Sequence, residues 1–204
     1  MTSVAKRIRR TPEEARRLIL DAAQARLART GPEGLRLQDI AADAGISHPS
    51  ILHHFGSREG LVRALTQQAV EDLKQTLVSA LTSSASASTE ALLEQTFNAF
   101  RNGLAQRLAW LVTVDPEGSH GGHAQVLRQI VDVAHARRVA NAPPGTHLPR
   151  EDTEAQVHLV ATAAFGDAMY GAQLRRSAGQ EPSPAADQRF RAWLAALIQA
   201  PWGR

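Results

Sequence analysis

Two short apolar patterns, one on each side of Gly45, constrain the fold of this chain more than any other feature. Residues 37–44 place apolar side chains at helical spacing, and Gly45 can then take a positive φ without steric cost. Ser47 is a favourable N-cap, and Pro49 falls in the first turn of the helix that follows it. The pattern predicts two short helices joined by a tight turn.

A further helix is predicted before this pair and another after it. Thr11-Pro12-Glu13-Glu14 combines an N-cap threonine, a proline at the first helical position and an acid three residues after the cap. Gly31-Pro32 would end that helix, and Ser57 would cap a fourth one whose apolar stripe continues to about Leu81. We expect Phe55 to anchor the third helix to a small core shared by these elements.

The remaining chain carries longer apolar stripes at the helical period, without the alternation that is typical of strands. A low-complexity run, Ser83–Thr89, separates them from the fourth helix. We predict an all-α fold of about nine helices. Residues 1–60 would form a basic arm and a helix-turn-helix unit, with the helix-turn-helix at about 36–55. Residues 61–204 would form a second helical unit, joined to the first through the fourth helix.

Composition excludes several classes of protein. The 204 residues contain no cysteine, so disulfides, thiolate metal sites and cysteine nucleophiles are ruled out. No window approaches the roughly 18 consecutive apolar residues of a membrane span. Met1–Arg17 is polar and basic, unlike a signal peptide. We therefore expect a soluble cytoplasmic protein with no membrane partner.

Basic charge is concentrated near the start of the sequence. Residues 1–60 carry ten Lys or Arg against seven Asp or Glu, whereas residues 61–204 carry thirteen of each. The run Lys6–Arg10 (KRIRR) could be an electrostatic footprint for a polyanion or a solvated terminus. Both interpretations stay open on this feature alone.

The predicted third helix has one face suited to a core and one suited to nucleic acid. Ile51 and Phe55 can face inward. A helix about 10 Å wide fits the major groove of DNA, which is about 12 Å wide. The hydrogen-bonding side chains left for the outer face are Ser47, His48, Ser50, His53 and His54.

From about Thr11 to Leu65 the sequence resembles the DNA-binding domain of the TetR family of bacterial transcriptional regulators. The spacing from Ile40 through Phe55 to Leu61 is similar to that family without a gap. The residues that carry the resemblance are Gly31, Asp39-Ile40-Ala41, Ala44-Gly45-Ile46-Ser47, His54-Phe55, Ser57-Arg58-Glu59 and Leu61.

The resemblance implies a homodimer that binds a palindromic DNA operator and is released when a small effector binds above the fourth helix. It also implies that the third helix enters the major groove, while Ser57 and Arg58 brace against phosphate. The candidate DNA-binding residues are Arg36, Gln38, Ser47, His48, Pro49, Ser50, His53, His54, Ser57 and Arg58.

Two positions depart from the family's pattern. Leu52 replaces the usual tyrosine of the recognition helix and cannot hydrogen-bond a phosphate. Arg36 replaces the usual threonine cap of the second helix, but its guanidinium could itself contact phosphate. These departures leave the base preference open.

The apolar helices after Thr89 could line the effector pocket, or the same stripes could be ordinary core. Asn98 and Tyr170 are further candidate polar contacts. The candidate pocket residues are Phe97, Phe100, Trp110, Leu127, Ile130, Val131, His135, His158, Phe165 and Met169.

The last two predicted helices are candidates for self-association, because small side chains on one could admit large ones on the other in a four-helix arrangement. Packing within one chain is the alternative. The candidate interface residues are Val157, Val160, Ala161, Ala164, Ala168, Phe190, Trp193 and Leu197.

His120-x-x-His123 and His135 raise the possibility of a metal site. Two glycines separate His120 from His123 in a predicted loop, and no acid stands at ligand spacing. We expect solvated loop histidines and neither a metal nor a cofactor.

We therefore predict a DNA-binding regulator, most simply a repressor, and not an enzyme, because no nucleophile–base pair or phosphate loop is present. The alternatives are an all-helical enzyme that uses histidines or a metal, and a helical interaction protein that has lost DNA binding.

Overall fold

The computed structural model describes residues 11–31, 34–83, 87–114 and 123–200, and all regular secondary structure within these ranges is helical. The prediction of an all-α fold is confirmed. The predicted basic arm at Lys6–Arg10, the residue His120 and the side chain of His123 lie outside the described part. The helices are α1 (Pro12–Thr30), α2 (Leu37–Ala44), α3 (His48–Phe55), α4 (Arg58–Thr82), α5 (Thr89–Ala99), α6 (Ala105–Val114), α7 (His123–Ala140), α8 (Arg150–Gly166), α9 (Ala172–Ser177) and α10 (Pro184–Gln199).

Two long helical segments, α5–α6 and α8–α9, depart from regular α-helical geometry at the point where their two helices join. Phe100–Leu104 joins α5 to α6 through a kink at which Asn102 and Gly103 leave helical geometry, Gly103 at φ 96°. Asp167–Gly171 joins α8 to α9 as a wider, π-type turn without a break in the helix. Only glycine takes the kink conformation readily, because a Cβ disfavours positive φ.

The chain divides into two compact units, one ending at Leu65 and one beginning at Thr66, so the division falls within α4. The domain boundary expected after residue 60 stays a prediction.

The start of α1 forms as its sequence indicates. The Thr11 hydroxyl accepts a hydrogen bond from the Glu14 N–H at 3.2 Å, and the Glu14 carboxylate accepts one from the Thr11 N–H at 2.9 Å. This reciprocal capping box satisfies backbone donors that the first helical turn leaves unpaired. The local sequence therefore specifies where α1 begins.

The core of the first unit is aliphatic. Phe55 lies at its margin, half-buried, with the Arg16 guanidinium 4.5 Å from its ring centre. The expected anchor is thus a cation–π contact at the edge of the core rather than a central packing residue. The fully buried side chains are Ile19, Ala23, Ile40, Ile51, Leu61 and Val62.

The core of the second unit gathers α5, the kink, α8 and α10. Phe97 meets Phe190 edge to face at 6.0 Å between ring centres, and Phe100 meets Phe165 in the same way at 6.4 Å. The buried residues of this core are Leu93, Phe97, Phe100, Leu104, Ala105, Ala164, Leu194 and Ala195.

Candidate nucleic-acid interface and effector cavity

The turn between α2 and α3 is tight, because Gly45 ends α2 in the left-handed conformation at φ 63° and ψ 40°. Its N–H and that of Ile46 both bond back to the last turn of α2, the second at 3.0 Å to the Ala41 carbonyl. These bonds satisfy helix-end carbonyls and direct the chain at once into α3. The helix-turn-helix geometry predicted around Gly45 is present.

One face of α3 lies in the core and the opposite face is open to solvent. Ile51 is fully buried, whereas Pro49, Leu52 and His53 are exposed. Residues three and four positions apart share a helix face, so the three exposed side chains form one surface. His48, Ser50 and His54 are half-buried at its edges. Leu52, which sequence reasoning treated only as a departure, therefore lies within the outward face.

The start of α2 and the cap of α3 carry further exposed candidates. Arg36 and Gln38 are exposed, and Arg36 occupies the N-cap of α2 without any side-chain capping bond. Ser47 occupies the N-cap of α3, but its hydroxyl pairs with that of Ser50 at 2.9 Å instead of capping the helix. The N-cap positions were thus predicted, while the capping bonds themselves are absent at both.

Arg58 has a structural partner that the sequence did not indicate. Its Nε donates to the Leu35 carbonyl at 2.9 Å, so the side chain ties the start of α4 to the segment before α2. Ser57 caps α4 as expected, since its hydroxyl accepts from the Gly60 N–H at 3.1 Å. The phosphate contacts expected of both residues stay predictions.

Glu59 reinforces this cap. Hydrogen bonds from its own backbone N–H and from the Ser57 side chain hold the pKa of Glu59 below its usual range, and the charges of Arg58 and Arg63 lower it further.

Gly60 fixes the approach of α3 to α4. A Cβ on this residue would stand 2.0 Å from the Phe55 carbonyl oxygen, a backbone atom that cannot move aside cheaply. No side chain larger than hydrogen fits there without displacing one helix from the other. The requirement was invisible in the sequence, because Gly60 falls inside a helical pattern.

Two ion pairs of one arginine also join α1 to α2. Arg26 contacts Asp39 at 3.2 Å and Asp43 at 2.7 Å, and its side chain is mostly buried. Since these residues hold the first helix against the second, they orient α3 indirectly.

The second unit contains a cavity of about 900 Å³ with mainly apolar walls, within the size range of small-molecule sites. Five of the ten predicted pocket residues line it: Phe100, Leu127, Ile130, His158 and Phe165. The other five do not. Phe97 is fully buried in the core, Val131 is buried, and His135 bonds the Thr153 hydroxyl at 3.0 Å. Trp110 and Met169 also lie outside the lining, Met169 packed against the core.

Sequence reasoning missed most of the cavity wall. The α4 side chains Leu73, Leu77 and Leu81 line it, as do Arg137 and Arg138 of α7. Helical periodicity identifies the buried stripe of each helix, but it does not identify which part of a stripe borders a gap. The two arginines were hidden because charged residues in an amphipathic helix usually face solvent.

Comparison with known proteins places the first unit in one family. The family model described as "Bacterial regulatory proteins, tetR family" matches residues 19–65, which include all of α2 and α3. This segment matches the TetR family. The chain is 29% identical over 134 residues to the HTH-type transcriptional regulatory protein RaaS of Mycobacterium tuberculosis, a match that covers 65% of the chain and 60% of RaaS. The matched part is therefore less than two thirds of that curated relative.

Solved structures share the fold of this chain. A transcriptional regulator of the TetR/AcrR family from Thermobifida fusca superposes with a TM-score of 0.66 at 17% identity, covering 93% of this chain and 98% of the other. The multidrug binding protein EbrR complexed with proflavin superposes with a TM-score of 0.59 at 18% identity, covering 90% and 99%. At these identities the likeness shows the fold alone.

The surface predicted for self-association is only partly exposed. Val157, Val160 and Ala161 line the cavity of their own chain, and Ala164 is buried in its core, contrary to a place in an interface. They face inward because the small-residue stripe of α8 borders the gap beside α4 and α7. Ala168 and Leu197 are half-buried against the same core.

Large apolar side chains are exposed elsewhere on the α8–α10 segment. Tyr170 is 59% exposed, Leu174 64% and Trp193 60%. Trp193 stacks on Phe190 with 6.3 Å between ring centres. Three exposed residues of this size on adjacent segments suit a protein–protein contact.

An ion-pair network supports that same segment. Asp167, of which only 5% of the side chain is exposed, accepts from Arg101 Nε at 3.1 Å and from Arg175 at 2.7 Å. Asp187 pairs with both arginines, at 2.7 and 3.0 Å. Burial lowers the pKa of Arg101, but hydrogen bonds to Asp187 and Asp167 outweigh it and raise the pKa above its usual value.

Among the described helices, none has the length and hydropathy needed to cross a membrane.

Proposed function

We propose that this chain is a DNA-binding transcriptional regulator, a repressor that binds a palindromic operator as a homodimer in the cytoplasm. The observation that carries the proposal is the exposed face of α3 on a helix-turn-helix whose sequence matches the TetR family. The proposal assigns no enzymatic activity and no cofactor. A small molecule in the cavity of the second unit would shift the dimer to a state that does not fit DNA.

The outward face of α3 suits base contacts in the major groove. His53 can donate or accept a hydrogen bond at a base edge, and Leu52 can contact a thymine methyl group. Exposed Arg36, Gln38 and Ser47 would contact phosphates, which position the helix without reading sequence. A leucine at the centre of the face favours an operator with thymine opposite it.

A repressor of this type needs two copies, because one eight-residue helix reads only one half-site. Tyr170, Leu174 and Trp193 support a homodimer contact through α8–α10, since burying them removes large apolar surface from water. This assignment keeps the last helices as the interface but centres it on the exposed residues.

The cavity supports the effector part of the proposal. Its walls are mainly apolar, and EbrR, which shares the fold, was solved with proflavin. A ligand that binds one conformation better than the other changes operator affinity by its differential affinity alone.

DNA binding is tested by gel shift with the intergenic DNA upstream of the chain's own gene, at low and high salt. We expect specific binding that weakens steeply with salt, because phosphate contacts release counterions. Leu52→Ala and His53→Ala should each weaken specific binding about ten-fold. The control is Gln24→Ala, an exposed position on α1. Salt-independent binding, or equal losses in all three variants, would reject the recognition role of α3.

Self-association is tested by sedimentation equilibrium of Trp193→Glu, which would bury a charge in the proposed interface. We expect a dimer for the unchanged chain and a monomer for the variant. Val139→Glu places the same charge on another exposed apolar residue, 53% exposed on α7, and should stay dimeric. A dimer that survives Trp193→Glu would move the interface away from α10.

The two alternative functions predict different results. An all-helical enzyme or an interaction protein without DNA binding would show no specific, salt-dependent shift with any upstream fragment. The gel shift therefore separates the regulator from both alternatives.

A further inference from the structure

We propose that the effector of this chain is an elongated apolar molecule that carries an anionic head group, such as a carboxylate, and that Arg138 binds the head group. This inference rests on the proposed function only in calling the ligand an effector. The site itself is defined by the charges and walls of the cavity.

The first observation is the distribution of polarity around the cavity. Most of the lining is aliphatic or aromatic, including Leu73, Leu77, Leu104 and Phe165, so a ligand must present apolar surface to most of the wall. Among the described lining residues none is an aspartate or glutamate, while Arg137 and Arg138 both border the space. A cationic ligand would find no counter-charge there.

The second observation is that the two arginines have different roles. Arg137 donates to the Ala87 carbonyl at 2.8 Å and to the Ala80 carbonyl at 3.4 Å, so its terminal nitrogens hold the backbone on either side of the gap between α4 and α5. These contacts make Arg137 a wall of the cavity. Its positive charge remains, but each of its two terminal nitrogens already donates to a backbone carbonyl, which fixes the guanidinium within the wall.

Arg138 is held differently. Its Nη1 donates to the Thr153 hydroxyl at 2.5 Å, and no ion pair joins it to an acid within the described ranges. Thr153 is itself 1% exposed and also bonds His135 Nδ1 at 3.0 Å. The guanidinium is thus positioned by a neutral partner that leaves its charge uncompensated and most of its five donors available. A carboxylate matches this geometry and can accept two parallel hydrogen bonds.

His158 and Gln156 border the same cavity from α8. The Gln156 amide nitrogen already donates to the Ile198 carbonyl at 3.1 Å, so its amide oxygen and the His158 ring add polar surface to the wall. The cavity therefore combines an oriented cation at Arg138 with mainly apolar walls for the remainder of the ligand. An apolar acid matches both the charge of Arg138 and the apolar walls. An uncharged hydrocarbon would displace water from Arg138 without giving it a hydrogen-bonding partner.

The test is calorimetric titration of the 204-residue chain, in the absence of DNA, with three ten-carbon probes: decanoate, decanol and decylamine. We expect decanoate to bind at one site per chain and at least ten-fold more tightly than decanol, because a charge-assisted hydrogen bond is added. Decylamine should bind more weakly than either. Decylamine binding equal to or tighter than decanoate would overturn the proposal.

Variants locate the head group. Arg138→Gln should remove the preference for decanoate over decanol, and Arg138→Lys should keep part of it because the charge is retained. The matched control is Arg128→Gln, which removes an exposed arginine of the same helix that lies outside the lining. Equal losses in Arg138→Gln and Arg128→Gln would indicate attraction by net charge alone and would overturn the site. Circular dichroism confirms that each variant is folded, and retained decanol binding confirms an intact cavity.

The result is separate from that of the DNA experiment. Selective decanoate binding without any gel shift would support the cavity assignment and reject the regulator. A specific gel shift with tighter decylamine binding would support the regulator and reject the anionic effector. If both proposals hold, decanoate should weaken the gel shift of the unchanged chain and have little effect on Arg138→Gln.

Discussion

The two units of this protein are specified in different ways. The first is built from short helices whose caps and turns are visible in the sequence, and its interior is closed around aliphatic side chains. The second has long helices with equally clear apolar stripes, yet those stripes surround an open cavity as well as a core. Periodicity identifies what is buried in both units. Periodicity does not distinguish packing from lining in either unit, and in the second unit that distinction decides which residues border the cavity.

The units also differ in what fixes their helices. In the first, Arg26 joins α1 to α2 through Asp39 and Asp43. The tightest constraint of the first unit, however, is steric, at Gly60 against the Phe55 carbonyl. In the second, Asp167 and Asp187 join two arginines from separate helical segments. We therefore expect the first unit to be sensitive to added volume and the second to lost charge.

The largest expected effect is that of Gly60→Ala. The new Cβ would overlap a backbone oxygen, so we expect a loss of about 3 kcal/mol or more in unfolding free energy, together with loss of operator binding. Gly166→Ala adds the same methyl group in α8, where nothing lies within 4 Å, and should stabilise the chain by about 0.5–1 kcal/mol. Urea denaturation measures both. If the two substitutions change the unfolding free energy by similar amounts, the contact between Gly60 and the Phe55 carbonyl is not a steric constraint on the first unit.

Asp167→Asn should produce the next largest effect. The substitution leaves Arg101 and Arg175 with one fewer counter-charge in a mostly buried network, and we expect a cost of about 2 kcal/mol. The control is Asp132→Asn, which breaks an exposed pair with Arg150 and should cost less than about 1 kcal/mol. Thermal unfolding compares them. If Asp167→Asn costs no more than its control, charge does not hold the second unit together.

The smallest expected effect concerns acid stability. The pKa of Glu59 is lowered in the folded state, so its contribution to stability is present above the unfolded pKa, near 4.5, and is lost as the pH falls through the folded pKa. Glu59→Gln should therefore flatten the fall in unfolding free energy on the acid side of about pH 4.5.

Glu71 of the second unit is the comparison for Glu59. A hydrogen bond from the Lys74 side chain lowers the pKa of Glu71, whose own side chain is 44% exposed. Glu71→Gln should act in the same pH range, but added salt should abolish its effect because exposed charges are screened. The effect of Glu59→Gln should persist in salt, since backbone and hydroxyl donors hold that carboxylate. Equal salt dependence would show that Glu59 also acts through exposed charges.

The sequence alone determined the helical class, the capping box at Thr11, the turn at Gly45 and the family of the first unit. These features depend on residues within a few positions of one another, so local physical chemistry is sufficient. The buried position of Ile51 in α3 follows from the same periodicity, whereas the place of Leu52 on the exposed face did not.

Tertiary structure decided the rest. Helices remote in sequence had to meet before Val157, Val160, Ala161 and Arg138 could be assigned to a cavity wall. The same holds for the tether from Arg58 to Leu35 and for the contact that requires Gly60. Which side of a buried stripe meets another helix and which meets a gap depends on the positions of all neighbouring helices, and no single helix encodes those positions.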